Sequence, residues 1–191
     1  HLDIAVDPVE GTTFLAGGQT NAMAVIATAP KGTMLDPGPA FYMEKFAAPA
    51  ETKGKIDMNW STEKKLKTVA SLIEKDLKDL TVFVLDKPRH RGLVEEIHEA
   101  GARVTLYPAG DVAGAIMAAI PDTEVDVLMG TGGTPEGIIS ACAIRAMGGE
   151  FLGRINPQLA TEIVSVRDAG FDTDRWYERD ELIGSDDVHF C

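Results

Sequence analysis

The chain has 191 residues, and 18 Lys and Arg against 30 Asp and Glu leave a formal net charge of −12. So acidic a chain lacks the basic surface that non-specific binding to nucleic acid or to an anionic membrane requires. With 45% apolar and 25% charged residues the composition is that of a folded chain, the apolar runs are too short to span a bilayer, and Cys142 and Cys191 alone build no disulfide framework. The expectation is a soluble, cytoplasmic α/β protein. Its first residues, His1 to Val6, read as a strand entered midway, and no Met precedes them. Val188 to Cys191 ends without a polar tail, so the sequence reads as a piece of a longer polypeptide, and no signal-peptide pattern is present.

Residues 1–61 are rich in Ala, Thr, Gly and Pro. Strand-like runs fall at 21–28, 41–46 and 55–59, separated by turn signals at Pro30-Lys31-Gly32 and Asp36-Pro37-Gly38-Pro39. This predicts a mostly antiparallel β region. From Thr62 the texture changes: Leu66, Val69, Ala70, Ile73 and Leu77 share one face of a helix predicted to run to about residue 78. Strands predicted at 81–86, 103–107 and 125–129 then alternate with helices near 92–100, 111–120 and 135–147. Such alternation implies right-handed crossovers and a parallel sheet. Beyond residue 150 the pattern supports a helix near 157–169, an acidic loop and a last strand. The architecture changes near residue 61, dividing the chain into 1–61 and 62–191.

Ligands of open parallel sheets bind beyond the carboxyl ends of the strands. Three segments fall there: Lys87-Pro88-Arg89-His90-Arg91, Pro108-Ala109-Gly110-Asp111, and the glycine-rich run from Gly130 to Gly137. The first packs three cations into five residues, which suits either a phosphate grip or a solvated helix start. The third is neither a dinucleotide fingerprint nor a P-loop, because Pro135 stands where a third Gly would be needed and no Lys-Ser/Thr pair follows. Thr134 reads as a helix N-cap with Pro135 and Glu136 in the first turn; Glu136 either complements the helix dipole or holds a hard cation. Asp111 has the default role of an N-cap, His90 and His98 read as solvent-facing helix residues, and Cys142 reads as core.

The sharpest signal is Asp7-Pro8-Val9-Glu10-Gly11-Thr12. Two carboxylates three residues apart, stiffened by Pro and freed by Gly, can point at one cation from a strand end. Thr12 then offers a hydroxyl beside it. Mg²⁺ and Mn²⁺ prefer such oxygen ligands and keep waters, one of which can become a nucleophile.

At this hexapeptide the chain resembles the metal-dependent, lithium-sensitive phosphomonoesterase superfamily. Within it, Gly18 to Ala22, Phe41 to Lys45, Lys53 to Asp57, Lys87 to His90, Glu124 to Leu128 and Pro135 to Gly137 are similar to class II fructose-1,6-bisphosphatase, in order, with Ser185 to Val188 fitting a later segment. The resemblance implies a layered α/β sugar-phosphatase fold, with 1–61 part of a β-rich metal-site subdomain and 62–191 an α/β sugar-phosphate subdomain. It implies Mn²⁺- or Mg²⁺-dependent hydrolysis of the 1-phosphate of fructose 1,6-bisphosphate in carbohydrate metabolism, by a cytoplasmic homo-oligomer. Alternatives are a bisphosphatase that also takes sedoheptulose 1,7-bisphosphate, and a phosphosugar-binding regulator without turnover.

By the same resemblance Asp7, Glu10 and Glu136 match metal ligands, and Thr12 matches the hydroxyl that orients the attacking water. Glu10, Gly11, Thr12, Tyr42, Lys87, Pro88, Arg89, Ala109, Gly110, Asp111 and Gly133 match substrate contacts. Two departures stand out. The family's acidic ligands upstream of the hexapeptide fall before His1, and Ala109 occupies a position where the family usually has Asp.

Overall fold

The structure, a computed structural model, describes residues 1–191. Strands β1 (Leu2–Glu10) and β2 (Met23–Pro30), with α1 (Thr12–Ala16) between them, begin a three-stranded antiparallel sheet that the short C-terminal β9 (His189–Phe190) completes in the order β1-β2-β9. Its outer face carries Leu2, Ile4, Val6 and Ile26, all well exposed.

The second sheet has six strands. β4 (Thr81–Leu85), β5 (Arg103–Tyr107) and β6 (Val127–Gly133) are parallel, joined through α3 (Arg91–Ala100) and α4 (Asp111–Ala119) as the alternating pattern predicts. β3 (Tyr42–Ala48) lies antiparallel between β6 and β7 (Glu150–Ile155), and β8 (Tyr177–Glu178) closes the order β5-β4-β6-β3-β7-β8. The sheets therefore do not part at residue 61: β3, from the first part of the chain, sits inside the larger sheet.

α2 (Thr62–Leu72) packs with α3 against one face of this sheet, where Leu66, Val69, Leu80, Val82, Phe46 and Ile97 are buried together. On the other face, α4 and α5 (Thr134–Met147) bury Val112, Ala115, Ile138, Ile139 and Cys142 against Met43, Phe83 and Phe151. α5 also packs against β1, β2 and β9. The layers thus run helices, six-stranded sheet, helices, three-stranded sheet. α6 (Ala160–Asp168) and α7 (Arg179–Leu182) complete the chain.

Several elements differ from expectation, for identifiable reasons. Residues 55–59 form no strand but lead into a turn at Met58 and Asn59, because the Asp57 carboxylate accepts the Asn59 N–H at 2.9 Å and its carbonyl accepts the Trp60 N–H. α2 stops at Leu72, not near residue 78, because Glu74 turns left-handed (φ 56°) and the Lys75 N–H closes onto the Ala70 carbonyl. β6 continues through the glycines to Gly133, because Tyr42 to Lys45 on β3 pair with Gly133 to Gly130. The N-caps of α4 and α5 are consequently Gly110 and Gly133, and Asp111 and Thr134 are first helical residues. β7 has no counterpart in the sequence reading.

Because β3 is the central antiparallel strand, its packing holds both sheet halves. Phe46→Ala, which empties a fully buried position, should cost about 3–5 kcal/mol by chemical denaturation. Phe41→Ala, at a 64% exposed position, should change stability by less than about 0.5 kcal/mol.

Candidate active site

In a regular strand, residues three apart point to opposite faces. Between Asp7 and Glu10 the β1–β2 register shifts, Val9 N–H folding back onto Asp7 Oδ1 at 3.0 Å. This bulge re-aims the strand end so that Asp7 and Glu10 converge. Glu136 meets them from the first turn of α5: one carboxylate oxygen from each of the three residues lies within 4.8 Å of the others.

The arrangement is electrostatically incomplete. Glu10 is 4% exposed and accepts the Val112 N–H of α4 at 3.2 Å. Burial pushes its carboxyl up to about 8, with the Asp111 charge and the hydrogen bond to Asp7 adding to the rise. The Val112 N–H and the Lys45 ammonium pull the other way without cancelling it. Glu136 Oε2 is buried and has no hydrogen-bond partner. A buried carboxylate oxygen without a donor is costly. Three converging carboxylates, one of them orphaned, fit a divalent cation: oxygen donors of the kind that hard cations take, around a place that lacks positive charge.

The strand-end segments close in around this cluster. Asp111 is buried and ion-paired with Lys45, which is 1% exposed on β3. Gly132 and Gly133 pass so close that a β-carbon at the first would meet the Asp111 carboxylate, and one at the second the Glu136 carboxylate. Lys87 donates to the Pro108 carbonyl at 2.8 Å, tying the segment after β4 to the one after β5. Arg89 donates from Nε and Nη2 to the Thr131 carbonyl at 3.0 and 2.8 Å, tying it to β6. Its guanidinium lies 5.3 Å from the centre of the Tyr42 ring.

The other residues singled out in the sequence distribute around this frame. Gly11 is buried behind Glu10, and Thr12 stands exposed at the start of α1. Pro88 opens the single turn that carries Arg89 (Pro88–His90), and Ala109 and Gly110 lead into α4. Tyr42 begins β3. Asp111 is not the N-cap that its position suggested: its carboxylate goes to Lys45 instead of the helix N–H groups. His98 is exposed and Cys142 is buried, as read from the sequence, but His90 is buried, 4% exposed.

Two supporting residues escaped the sequence reading. Lys45 sits in a strand whose alternation gives no hint of a buried ammonium. Glu162, 2% exposed on α6, accepts the Phe41 and Tyr42 N–H groups at 2.7 and 2.8 Å and the Gln158 N–H at 2.9 Å, fixing the start of β3. An acid at the third position of a helix is a visible capping signal. Nothing local says that it also binds a strand 120 residues away.

Over residues 1–191 the chain matches the family model described as bacterial fructose-1,6-bisphosphatase, glpX-encoded. It is 48% identical to a fructose-1,6-bisphosphatase class 2 of Haemophilus influenzae across 157 residues, which are 82% of this chain and 47% of that protein. It is also similar to two proteins named D-fructose 1,6-bisphosphatase class 2/sedoheptulose 1,7-bisphosphatase. These are 42% identical in Crocosphaera subtropica and 41% in Acaryochloris marina, covering all of this chain and 59% of each relative. The chain belongs to the bacterial fructose-1,6-bisphosphatase family. It spans about half the length of the curated relatives it matches.

If the carboxylates take up a cation, its binding stabilises the fold. A Mn²⁺ titration should raise the stability of the protein by about 2.7 kcal/mol at one hundred times the dissociation constant. Gly133→Ala, which drives a methyl into Glu136, should remove most of that gain in thermal melts.

Proposed function

We propose that the protein of which these residues form the site hydrolyses the 1-phosphate of fructose 1,6-bisphosphate, giving fructose 6-phosphate and inorganic phosphate. The observation that carries this reading is the cluster of Asp7, Glu10 and Glu136, with its orphaned oxygen, at the edge where Lys87 and Arg89 stand. A carboxylate trio next to cations suits a doubly phosphorylated substrate: one phosphate reacts, and the other is gripped. When bound at the three carboxylates, Mn²⁺ or Mg²⁺ supplies an activated water and neutralises charge on the phosphoryl oxygens.

The chain's own residues do the rest. Thr12, exposed at the start of α1, offers its hydroxyl to orient the attacking water along the line of the breaking bond. A water oxygen joins phosphorus as the bond from phosphorus to the sugar oxygen breaks; the water gives up a proton and the leaving sugar oxygen takes one up, so protons balance and no phosphoenzyme is needed. Arg89 and Lys87 grip the distal phosphate, Arg89 with the donors that it does not spend on Thr131. Tyr42 and the turn from Ala109 to Asp111 flank the sugar. Asp111, held by Lys45, accepts from sugar hydroxyls. Sedoheptulose 1,7-bisphosphate is a second candidate substrate, because two relatives that match along all of this chain carry that activity in their names.

The test is phosphate release from both bisphosphates, by the whole protein, with Mn²⁺ and with chelator. Glu136→Gln should abolish metal-dependent release while leaving the melting curve cooperative, since a cation needs charge from this position and Gln keeps the volume. Arg89→Ala should raise KM by about tenfold or more with little change in kcat, the loss expected for one charge-assisted phosphate contact of roughly 1.5–3 kcal/mol. Full activity of Glu136→Gln would displace the site; binding without any release would leave a phosphosugar-binding regulator.

A further inference from the structure

Arg89 and His90 are consecutive residues of one turn, and both take hold of Thr131 on β6. The Thr131 carbonyl accepts from Arg89 Nε and Nη2 at 3.0 and 2.8 Å, its N–H donates to His90 Nε2 at 2.8 Å, and its hydroxyl accepts from Asn156 Nδ2 at 2.9 Å. All three polar groups of Thr131 are therefore engaged. The other imidazole nitrogen, Nδ1, lies 2.7 Å from the Leu85 carbonyl oxygen at the end of β4.

These partners determine the state of the ring. A carbonyl oxygen only accepts and an amide N–H only donates, so His90 must be neutral, with its hydrogen on Nδ1. Both nitrogens are occupied and the residue is buried, so the ring has no site left for taking a proton from water or substrate. Burial also pushes its pKa below the ordinary value, and the neighbouring Arg89 pushes the same way; the bonds to Leu85 and Thr131 and the charge of Asp111 pull against them without restoring it. Gly130, at φ 131°, makes room for the ring: a β-carbon there would come within 3.0 Å of Nε2.

We infer that His90 is a positioning residue for Arg89: by holding the Thr131 amide, it fixes the carbonyl on which the guanidinium rests, and so fixes where the distal phosphate is gripped. The ligand in this statement rests on the phosphosugar reading above. The clamp itself belongs to the chain without ligand. Its geometry has a consequence for chemistry. With Nε and one Nη2 hydrogen spent on Thr131, the guanidinium of Arg89 is tied to one backbone carbonyl, and Nη1 and the second Nη2 hydrogen remain for a ligand.

The clamp is tested first without ligand, by nitrogen NMR on the labelled protein. His90 should show a protonated Nδ1 and a bare, accepting Nε2 at neutral pH, and the Arg89 Nε–H should be protected from exchange. In His90→Leu that protection should fall by roughly tenfold, about 1.4 kcal/mol, which lies within the cost of leaving the buried Thr131 N–H unpaired. In His90→Gln, whose Oε1 can accept from the Thr131 N–H, it should largely return. Kinetics then read the consequence: His90→Leu should raise KM for fructose 1,6-bisphosphate by roughly three- to tenfold with kcat within about twofold, and should add nothing in an Arg89→Ala background. A ring protonated on Nε2, or undiminished Arg89 protection in folded His90→Leu, overturns the inference, as does an effect that adds in full to Arg89→Ala. Should His90→Leu not fold, the tautomer and the His90→Gln variant decide. A protein that neither binds nor cleaves the bisphosphate refutes the substrate reading while the NMR result still judges the clamp.

Discussion

Everything at the sheet edge follows from crowding carboxylates where water is scarce. Asp7, Glu10 and Glu136 converge within 4.8 Å, and Asp111 lies just behind Glu10. Like charges so close repel strongly, more so under partial burial. Two devices offset the repulsion, the Lys45 ammonium against Asp111 and the Val112 N–H against Glu10, and they leave the Glu10 carboxyl raised above the ordinary carboxylate range by burial and by the Asp111 charge. Neither of them reaches Glu136 Oε2. The site is therefore balanced for something positive to arrive, and the rest of the fold serves to keep the groups in place until it does.

That service explains an otherwise odd topology. A parallel β5-β4-β6 unit would by itself bring three segments to one edge, but none from the first part of the chain. Inserting β3 antiparallel beside β6 does so: it carries Tyr42 and Lys45 into the edge and draws β6 out through Gly130 to Gly133. At Gly132 and Gly133 only glycine passes, because the carboxylates of Asp111 and Glu136 occupy the space that β-carbons would need. α5, packed against both sheets, then delivers Glu136 to the end of β1. The glycine run is thus a strand shaped by the acids it passes, not a phosphate-cradling loop.

The alternation of strands and helices from residue 81 to 147 was legible because each element carries its own period, and the hexapeptide at Asp7 was legible because its spacing is local. β7 was not, since Glu150 to Ile155 lacks clean alternation and exists as a strand only because β3 is there to pair with it. Lys45, Glu162 and His90 were invisible for a related reason. Each is a polar residue whose burial depends on a partner far along the chain: Asp111, Phe41 and Tyr42, and Thr131 respectively. His90 in particular follows two cations and reads as solvated, yet it is the inward half of a turn whose outward half is Arg89.

That pairing of inward and outward residues bears on specificity. An arginine on a free loop grips any phosphate that it can reach, because the loop adjusts to the ligand. Arg89 is held on Thr131 through two donors, and Thr131 is itself held from its amide and its hydroxyl. On the proposed reading, the separation between the gripped phosphate and the carboxylate cluster is then set by the spacing of β6 and β1 instead of by the ligand. A substrate with two phosphates would then be selected by the length of the sugar between them, with a longer sugar admitted only where the walls yield. The wall that departs from the family pattern is Ala109, a methyl group next to Gly110 and the apolar side chains of Phe14 and Tyr107. On the same proposed reading, its small size would give up a polar contact to the sugar and leave room there, so that discrimination would fall on the fixed distance between the two phosphates more than on hydroxyl recognition.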